Sequence, residues 1–216
     1  MNCIDSIMYL NLEHRKDRLK NIQFQLYNSE VATLLPIDKT KIHKIDAIYN
    51  RKNGAAGCGE SHVKALDLAI QNKWNCVLIF EDDFMWKDNT QYIIDCLKTI
   101  DTTNVKWDAI LLSTNKVKCK VIRKEENNLQ KIENGYTTSG YIIKGLDKIK
   151  ELRKCFYDSY NKLKKTNKIY GSDCIDVAWN IFQKRDNWFC FHKNLGTQIE
   201  SFSDISKKKE NYSKIL

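Results

Sequence analysis

The sequence predicts an α/β fold, with a mostly parallel sheet in three layers and helices on both faces. Three observations predict it. Short apolar runs alternate with stretches of helical period. One run, Cys76-Val77-Leu78-Ile79-Phe80, ends abruptly on Glu81-Asp82-Asp83, as a buried strand does when it reaches the edge of its sheet. No linker rich in Pro, Gly or Ser divides the 216 residues and no internal repeat is visible. One domain over residues 1–205 is therefore expected, followed by a short lysine-rich tail over 206–216.

The elements follow in order. Ser6 to Leu12 reads as a first strand, and Asp17 to Tyr27, with Leu19, Ile22, Phe24 and Leu26 among charges, as a short helix. Residues 41–49 alternate roughly and suggest a second strand. Asn53 to Gly59 holds three glycines in seven residues and is the strongest loop signal, with the next helix starting at Glu60 or Ser61. The strand of residues 76–80 follows, then a helix from Gln91 to Ile100 and a strand from Trp107 to Leu112. Residues 115–135 form a long charged loop. A strand over 136–143 and helices over 146–164 and 172–184 complete the alternation. The tail from Ser206 is polar and expected to be mobile.

Composition narrows the class. Hydrophobic residues make up 42% and aromatics 11%, enough for a sizeable core. No apolar run approaches the roughly 20 residues of a membrane span, and the amino terminus lacks a signal-peptide pattern, so the expected address is the cytoplasm, with peripheral membrane association left open. Eight cysteines stand at 3, 58, 76, 96, 119, 155, 174 and 190 without a C-x-x-C pair. That spacing argues against a zinc site and for free thiols. The net charge of +9 comes from 36 Lys and Arg against 27 Asp and Glu. It reads as a solvated basic surface, with no specific nucleic-acid partner expected.

Four constellations bear chemistry. The acidic triplet sits where ligands bind in open α/β sheets. Three adjacent carboxylates repel one another, and a hard divalent cation would relieve the repulsion and hold a phosphate. The alternative is an acidic turn facing water. Arg15 and Arg18, three apart on a helical turn, follow the first strand and belong over the same edge. They suit a pyrophosphate, or else begin a solvated basic helix. The Gly54–Gly59 segment matches neither a phosphate-binding loop with Lys-Ser or Lys-Thr nor the dinucleotide fingerprint. It feeds a helix start carrying Ser61 and His62, which reads as an anion site or as a plain turn with a Ser cap. Asp173, Asp176 and Trp179 are spaced to share a helix face, and Asp204 lies further on. One of the three acids is a candidate general base, while a helix-start role is equally open for Asp173. Trp86 is placed either to stack on a sugar or base or to close the core.

In order, these pieces resemble the family 25 glycosyltransferases, which include lipooligosaccharide and procollagen galactosyltransferases. The resemblance is carried by Tyr9-Leu10-Asn11-Leu12 with Arg15 and Arg18, Gly57-Cys58-Gly59-Glu60-Ser61-His62, and Leu78-Ile79-Phe80-Glu81-Asp82-Asp83. It continues through Asp108-Ala109-Ile110-Leu111-Leu112, Thr138-Ser139-Gly140-Tyr141-Ile142-Ile143, and Gln198 with Ser203-Asp204-Ile205. It implies a GT-A type fold, a UDP-sugar donor, manganese or magnesium, inversion at the anomeric carbon, and a glycan or glycoprotein acceptor. Residue by residue, it places Asn11, Arg15, Arg18, Ala47 and Ile48 near the nucleotide. Gly57, Ser61 and His62 fall in the glycine-containing segment, and Ser139 and Gly140 beside the donor. Glu81 and Asp82 join the diphosphate site, with Asp83 and Glu81 as metal ligands. Asp173, Asp176 and Asp204 remain the candidates for the base. Two alternatives stay open: a metal-dependent nuclease or phosphatase built on the same triplet, and a nucleotide-sugar-binding module that has lost its activity. Sugar, linkage and oligomeric state are not encoded in any motif.

Overall fold

Two central strands alternate so regularly that they build two cores at once. In the computed structural model, which describes residues 1–35, 37–115, 119–125 and 128–210, β1 (Ser6–Asn11) leads through α1 (Lys16–Tyr27), α2 (Glu30–Leu34) and a single 3-10 turn to β2 (Ile42–Asp46). Then come α3 (Gly54–Gln71), β3 (Cys76–Glu81), β4 (Phe84–Trp86), α4 (Thr90–Thr102), β5 (Ala109–Leu111), β6 (Lys120–Lys124), β7 (Leu129–Glu133) and β8 (Gly140–Lys144). The chain continues through α5 (Leu146–Thr166), α6 (Ile175–Ala178), α7 (Asn180–Arg185), β9 (Trp188–Phe191), β10 (Gly196–Gln198), β11 (Ser201–Phe202) and β12 (Lys209–Glu210).

Eight strands form the main sheet in the order β2-β1-β3-β8-β5-β9-β7-β6. Strands β1, β2 and β3 are mutually parallel, as are β5 and β9. Strand β8 runs antiparallel between β3 and β5, and β7 runs antiparallel between β9 and β6. The α/β class, with a Rossmann-like, mostly parallel sheet between helical layers, is the one expected from the sequence.

Alternation sorts the side chains. Ile7 and Tyr9 of β1, with Cys76, Leu78 and Phe80 of β3, face a core completed by Ile22 and Leu26 of α1, Val31 of α2 and Ile93 to Ile100 of α4. Met8, Leu10, Val77 and Ile79 face the opposite core, filled by Val63 and Leu66 of α3 and by Leu152 and Phe156 of α5. A strand apolar on both faces is buried along its length, so its polar residues collect at its end. In β3 that end is Glu81.

Three expectations need correction, and one open alternative closes. The glycine segment is no loop: it is the first turns of α3, capped by Asn53, whose side-chain oxygen accepts from the Ala56 amide. Its glycines serve close approach. A Cβ on Gly57 would lie 2.6 Å from the Ile48 carbonyl oxygen, one on Gly54 2.7 Å from the Asp204 carbonyl oxygen, and one on Gly59 2.9 Å from the Tyr160 Cβ. Second, the helix expected over 172–184 is broken. Asp173 precedes α6, and Trp179 separates α6 from α7, with its indole fully buried and donating to the Gly135 carbonyl. Extended backbone at Cys174 delays the helix to Ile175, and the Trp179 ring packs edge-on against Tyr141 and Trp188. Third, the segment 115–135 contains the β6–β7 hairpin at the sheet edge; residues 116–118, 126 and 127 lie outside the described ones. The alternative that closes is Trp86, which is core: it packs edge-on against Phe80 and Phe84 and donates to the Gln25 carbonyl.

The tail is folded back as far as Glu210, where β12 pairs with β11; residues 211–216 lie outside the described ones. As expected, the eight cysteines remain thiols, with no disulfide among the described residues. Among the described residues no helix is long and apolar enough to cross a membrane.

Because the neighbour of Gly57 is backbone, which cannot swing aside, Gly57→Ala is expected to destabilise the protein by about 1–3 kcal/mol. A chemical-denaturation midpoint lowered with an unchanged slope would register it.

Candidate functional site

Three carboxylates close β3, and their surroundings differ. Asp82 and Asp83 are buried, at 6% and 4% exposure, whereas Glu81 is half-buried. Arg18, reaching from the first turns of α1, places Nη1 2.9 Å from Asp83 Oδ2 and 3.3 Å from Asp82 Oδ1. Asn11, at the end of β1, donates to Asp82 Oδ2 at 2.7 Å, and Gln198 of β10 donates to both Asp83 oxygens at 3.2 Å. The sheet explains the convergence. Strands β1 and β3 are parallel neighbours, so their carboxyl ends and the α1 start meet at one edge.

Burial, reinforced by the charges of Glu81 and Asp82, pushes the Asp83 carboxyl up to about 7 despite Arg18. Burial also raises Asp82. Glu81 goes the other way: burial opposes it, but hydrogen bonds from His62 and Thr138 and the nearby Arg18 charge hold it below its ordinary value. Burial thus disfavours the charged form of both Asp82 and Asp83.

Around the acids lies a cleft in two lobes. The first, of about 120 Å³, is lined by Arg18, Ala47, Ile48, Ser61 and the three acids, with Asp204 at its wall. The second, of about 230 Å³, is lined by Thr137, Thr138, Tyr170 and Asp176. Cys58, Glu81, Gln198, Ser203 and Ile205 border both lobes.

The expected site residues divide accordingly. Arg15 is anchored away from the acids: it pairs with Asp17 and Asp204 at 2.8 Å each and donates to the Phe202 carbonyl. Asp204 is held below its ordinary value by that pairing, which outweighs its burial. Ser61 braces the first lobe, accepting from the Ile48 amide at 2.8 Å and donating to the Gly57 carbonyl at 2.7 Å. Gly57 supports Ile48 from behind. His62 is fully buried, with Nδ1 3.0 Å from the Tyr141 hydroxyl and Nε2 3.2 Å from Glu81 Oε1. Asp176 borders the second lobe and accepts from the Thr137 amide at 3.4 Å.

Asn11, Arg15, Gly57 and His62 stand behind the cleft lining, and Asp173, Ser139 and Gly140 fall outside it as well. The Asp173 carbonyl accepts from Ser159, and Asp173 borders neither lobe. Ser139 is buried 2.5 Å from the Ser113 hydroxyl, and Gly140 gives room to the Phe84 ring; both shape the strand behind the acids. Sequence reasoning missed Thr138 and Tyr141, which hold Glu81 and His62. Their signal was a polar and aromatic pair at the start of an apolar strand. It missed Asn21 as well, which donates to the Asp82 and Phe84 carbonyls from inside α1.

An α/β sheet with a carboxylate and guanidinium cleft at the ends of its parallel strands defines the class. No model of a known family matches the chain, and no curated protein matches it. The likeness to family 25 therefore rests on the motifs themselves. Among solved structures, the chain is similar to mannose-1-phosphate geranyltransferase from Thermus thermophilus, at 9% identity and TM-score 0.46, over 86% of this chain and 72% of that one. It is also similar to A197 from STIV, at 11% identity and TM-score 0.47, over 95% and 93%. A third is apo UDP-glucose pyrophosphorylase, at 10% identity and TM-score 0.45, over 89% and 75%.

The raised Asp83 carboxyl gives a pH dependence with a definite sign. Its folded value near 7 lies above the unfolded value, so the folded state takes up a proton that the unfolded state lacks. Between pH 5 and 7.5, Asp83→Asn is expected to gain stability relative to the unsubstituted protein, by on the order of 2 kcal/mol across the window. Paired denaturant titrations in chelator measure it; parallel pH curves for the two proteins would refute it.

Proposed function

We propose that the protein is a metal-dependent, inverting glycosyltransferase of the family 25 kind and GT-A type, moving a hexose from a UDP-sugar to a hydroxyl of a glycan or glycoprotein. One observation carries the reading. Segments that resemble the family's motifs, far apart in sequence, converge on a single cleft: Asn11 and Arg18, Gly57 to His62, Glu81 to Asp83, and Gln198 to Asp204.

The first lobe suits the donor. Arg18 carries a buried Nε that has no hydrogen-bond partner among the described residues, and Asn11 Oδ1 is likewise unpartnered. Buried polar atoms of this kind are rare unless a ligand or water completes them. A guanidinium with a spare donor matches a diphosphate oxygen. Ala47, Ile48 and Tyr49 offer apolar and aromatic surface for a nucleoside.

The donor chemistry of Glu81 and Asp83 fits manganese or magnesium, because carboxylate oxygens are what hard cations take and both residues border the lobe. Bound there, the cation would help stabilise the charge that develops on the departing nucleoside diphosphate. Arg18 contributes to the same stabilisation from the protein side.

The second lobe suits the acceptor. It meets the first at Glu81, and its one acid among the three candidate bases is Asp176. Asp204 is committed to Arg15, and Asp173 borders neither lobe. Asp176 is therefore the residue assigned to take the proton from the acceptor hydroxyl, on the far side of the sugar from the leaving group as in-line inversion requires.

Released nucleotide, measured over a panel of nucleotide sugars with manganese, tests the reading. Turnover of a UDP-sugar is expected, falling by about two orders of magnitude or more in Asp83→Ala, with the fold retained. Asp176→Asn is expected to lower kcat far more than it changes donor binding. Wild-type turnover in Asp83→Ala would remove the assigned site. Cleavage of nucleic acid or phosphate esters in place of UDP-sugars would favour the hydrolase alternative. Nucleotide binding without turnover would favour a module that has lost its activity.

A further inference from the structure

We propose that Cys58, His62 and Glu81 form a binding site for a zinc-class cation, separate in donor chemistry from the carboxylate set, with a fourth coordination position open to the cleft. Cys58 and His62 stand four apart on α3 and so occupy one face of it on successive turns. Glu81 comes to them from the end of β3. One ligand atom from each, Sγ, a ring nitrogen and a carboxylate oxygen, lie within 4.8 Å of one another.

The distances are close to what a tetrahedral ion requires. Bonds of about 2.0–2.3 Å put neighbouring ligand atoms roughly 3.3–3.7 Å apart. His62 Nε2 and Glu81 Oε1 are 3.2 Å apart already. The other separations, at most 4.8 Å, shorten by about 1 Å when an ion binds.

The surroundings orient the ligands as metal sites orient theirs. The His62 ring is fully buried, stacked on Tyr141 and edge-on to Phe156, which fixes its plane. Its Nδ1 meets the Tyr141 hydroxyl at 3.0 Å, leaving Nε2 to face Glu81. The Thr138 hydroxyl donates to Glu81 Oε1 at 2.5 Å. A hydrogen-bond partner on the far ring nitrogen and another on the carboxylate are the usual supports of a ligating His and Glu. In the bound state His62 is neutral, with its proton on Nδ1 donating to the Tyr141 oxygen, and the Cys58 thiol releases its proton to solvent.

A thiolate, an imidazole and one carboxylate select zinc or cobalt over manganese or magnesium, which prefer oxygen throughout. Three protein ligands with the fourth position open is the pattern of zinc sites that take water or substrate. Here Cys58 and Glu81 border both lobes, so that position faces the junction between them. Glu81 also belongs to the carboxylate set proposed above. An occupied Cys58 site leaves Asp83 as the remaining oxygen ligand for a hard cation.

Cobalt(II) titration of the reduced, chelator-treated full chain tests the proposal spectroscopically. A thiolate-to-cobalt charge-transfer band and intense visible bands of four-coordinate cobalt are expected, saturating at one ion per chain, bleached by zinc and unmoved by excess manganese. Cys58→Ser and His62→Gln should each weaken binding more than about tenfold. Cys3→Ser, which alters the Cys3–Cys76 thiol contact, should leave the bands intact. Asp83→Asn should leave them intact too, which separates this site from the carboxylate reading. Absence of the band in folded wild type, its persistence in folded Cys58→Ser, or its loss to manganese would overturn the proposal. If His62→Gln fails to fold by circular dichroism, the near-isosteric Cys58→Ser decides alone. Thermal stabilisation by UDP with manganese, measured on Cys58→Ser, reports on the transferase reading independently.

Discussion

The buried ion pairs between Arg18 and the two aspartates ending β3 are the constraint on which the cleft depends. An uncompensated buried carboxylate costs several kcal/mol, and two adjacent ones cost more. Strand β3 has no alternative place for them, since its residues up to Phe80 are taken by the two cores. The compensation draws other parts of the chain into place. Arg18 fixes the start of α1, Asn11 the end of β1, and Gln198 the short β10 strand. Arg18 Nη2 donates to the Ser201 hydroxyl and to the Phe202 carbonyl, and so holds the C-terminal hairpin over the cleft. One acidic strand end thereby organises segments from both ends of the sequence.

Helix α3 supplies the opposite wall by an unrelated device. Its first turns carry glycines because the chain at Ile48, Asp204 and Tyr160 comes within ordinary contact distance of its backbone. Side chains there would lever the cleft open. The same helix then presents Ser61, which braces Ile48, and Cys58 and His62, which turn toward Glu81. The glycine-rich stretch therefore works through proximity and not through flexibility, which is why it forms helix despite the low helix propensity of glycine.

Much of this was legible in the residues. The strand of residues 76–80 and its acidic end, the first strand and α1, and helices α4 and α5 all carry their period in the sequence. Two apolar faces per strand predict helices on both sides of the sheet. Other features were not legible, for identifiable reasons. The glycine segment resembles a loop because local propensity contains no information about what packs against it. Asp173, Asp176 and Trp179 share a spacing, but the extended backbone at Cys174 leaves Asp173 before the start of α6, and Trp179 stands between α6 and α7. Trp86 resembles a stacking platform until the aromatic cluster around it is known.

What the sequence determined by itself is therefore the class of fold and the chemical character of one strand end: hydrophobic period decides layers, and a run of carboxylates after a buried strand must emerge at an edge. Tertiary structure alone decided which groups answer those carboxylates. Arg18 and not Arg15 meets them, Asp176 and not Asp173 borders the second lobe, and Cys58 with His62 comes beside Glu81. Each of these is a distance between residues remote in the chain, set by strand order and by the approach of α3 to the sheet, and neither local propensity nor periodicity encodes such distances.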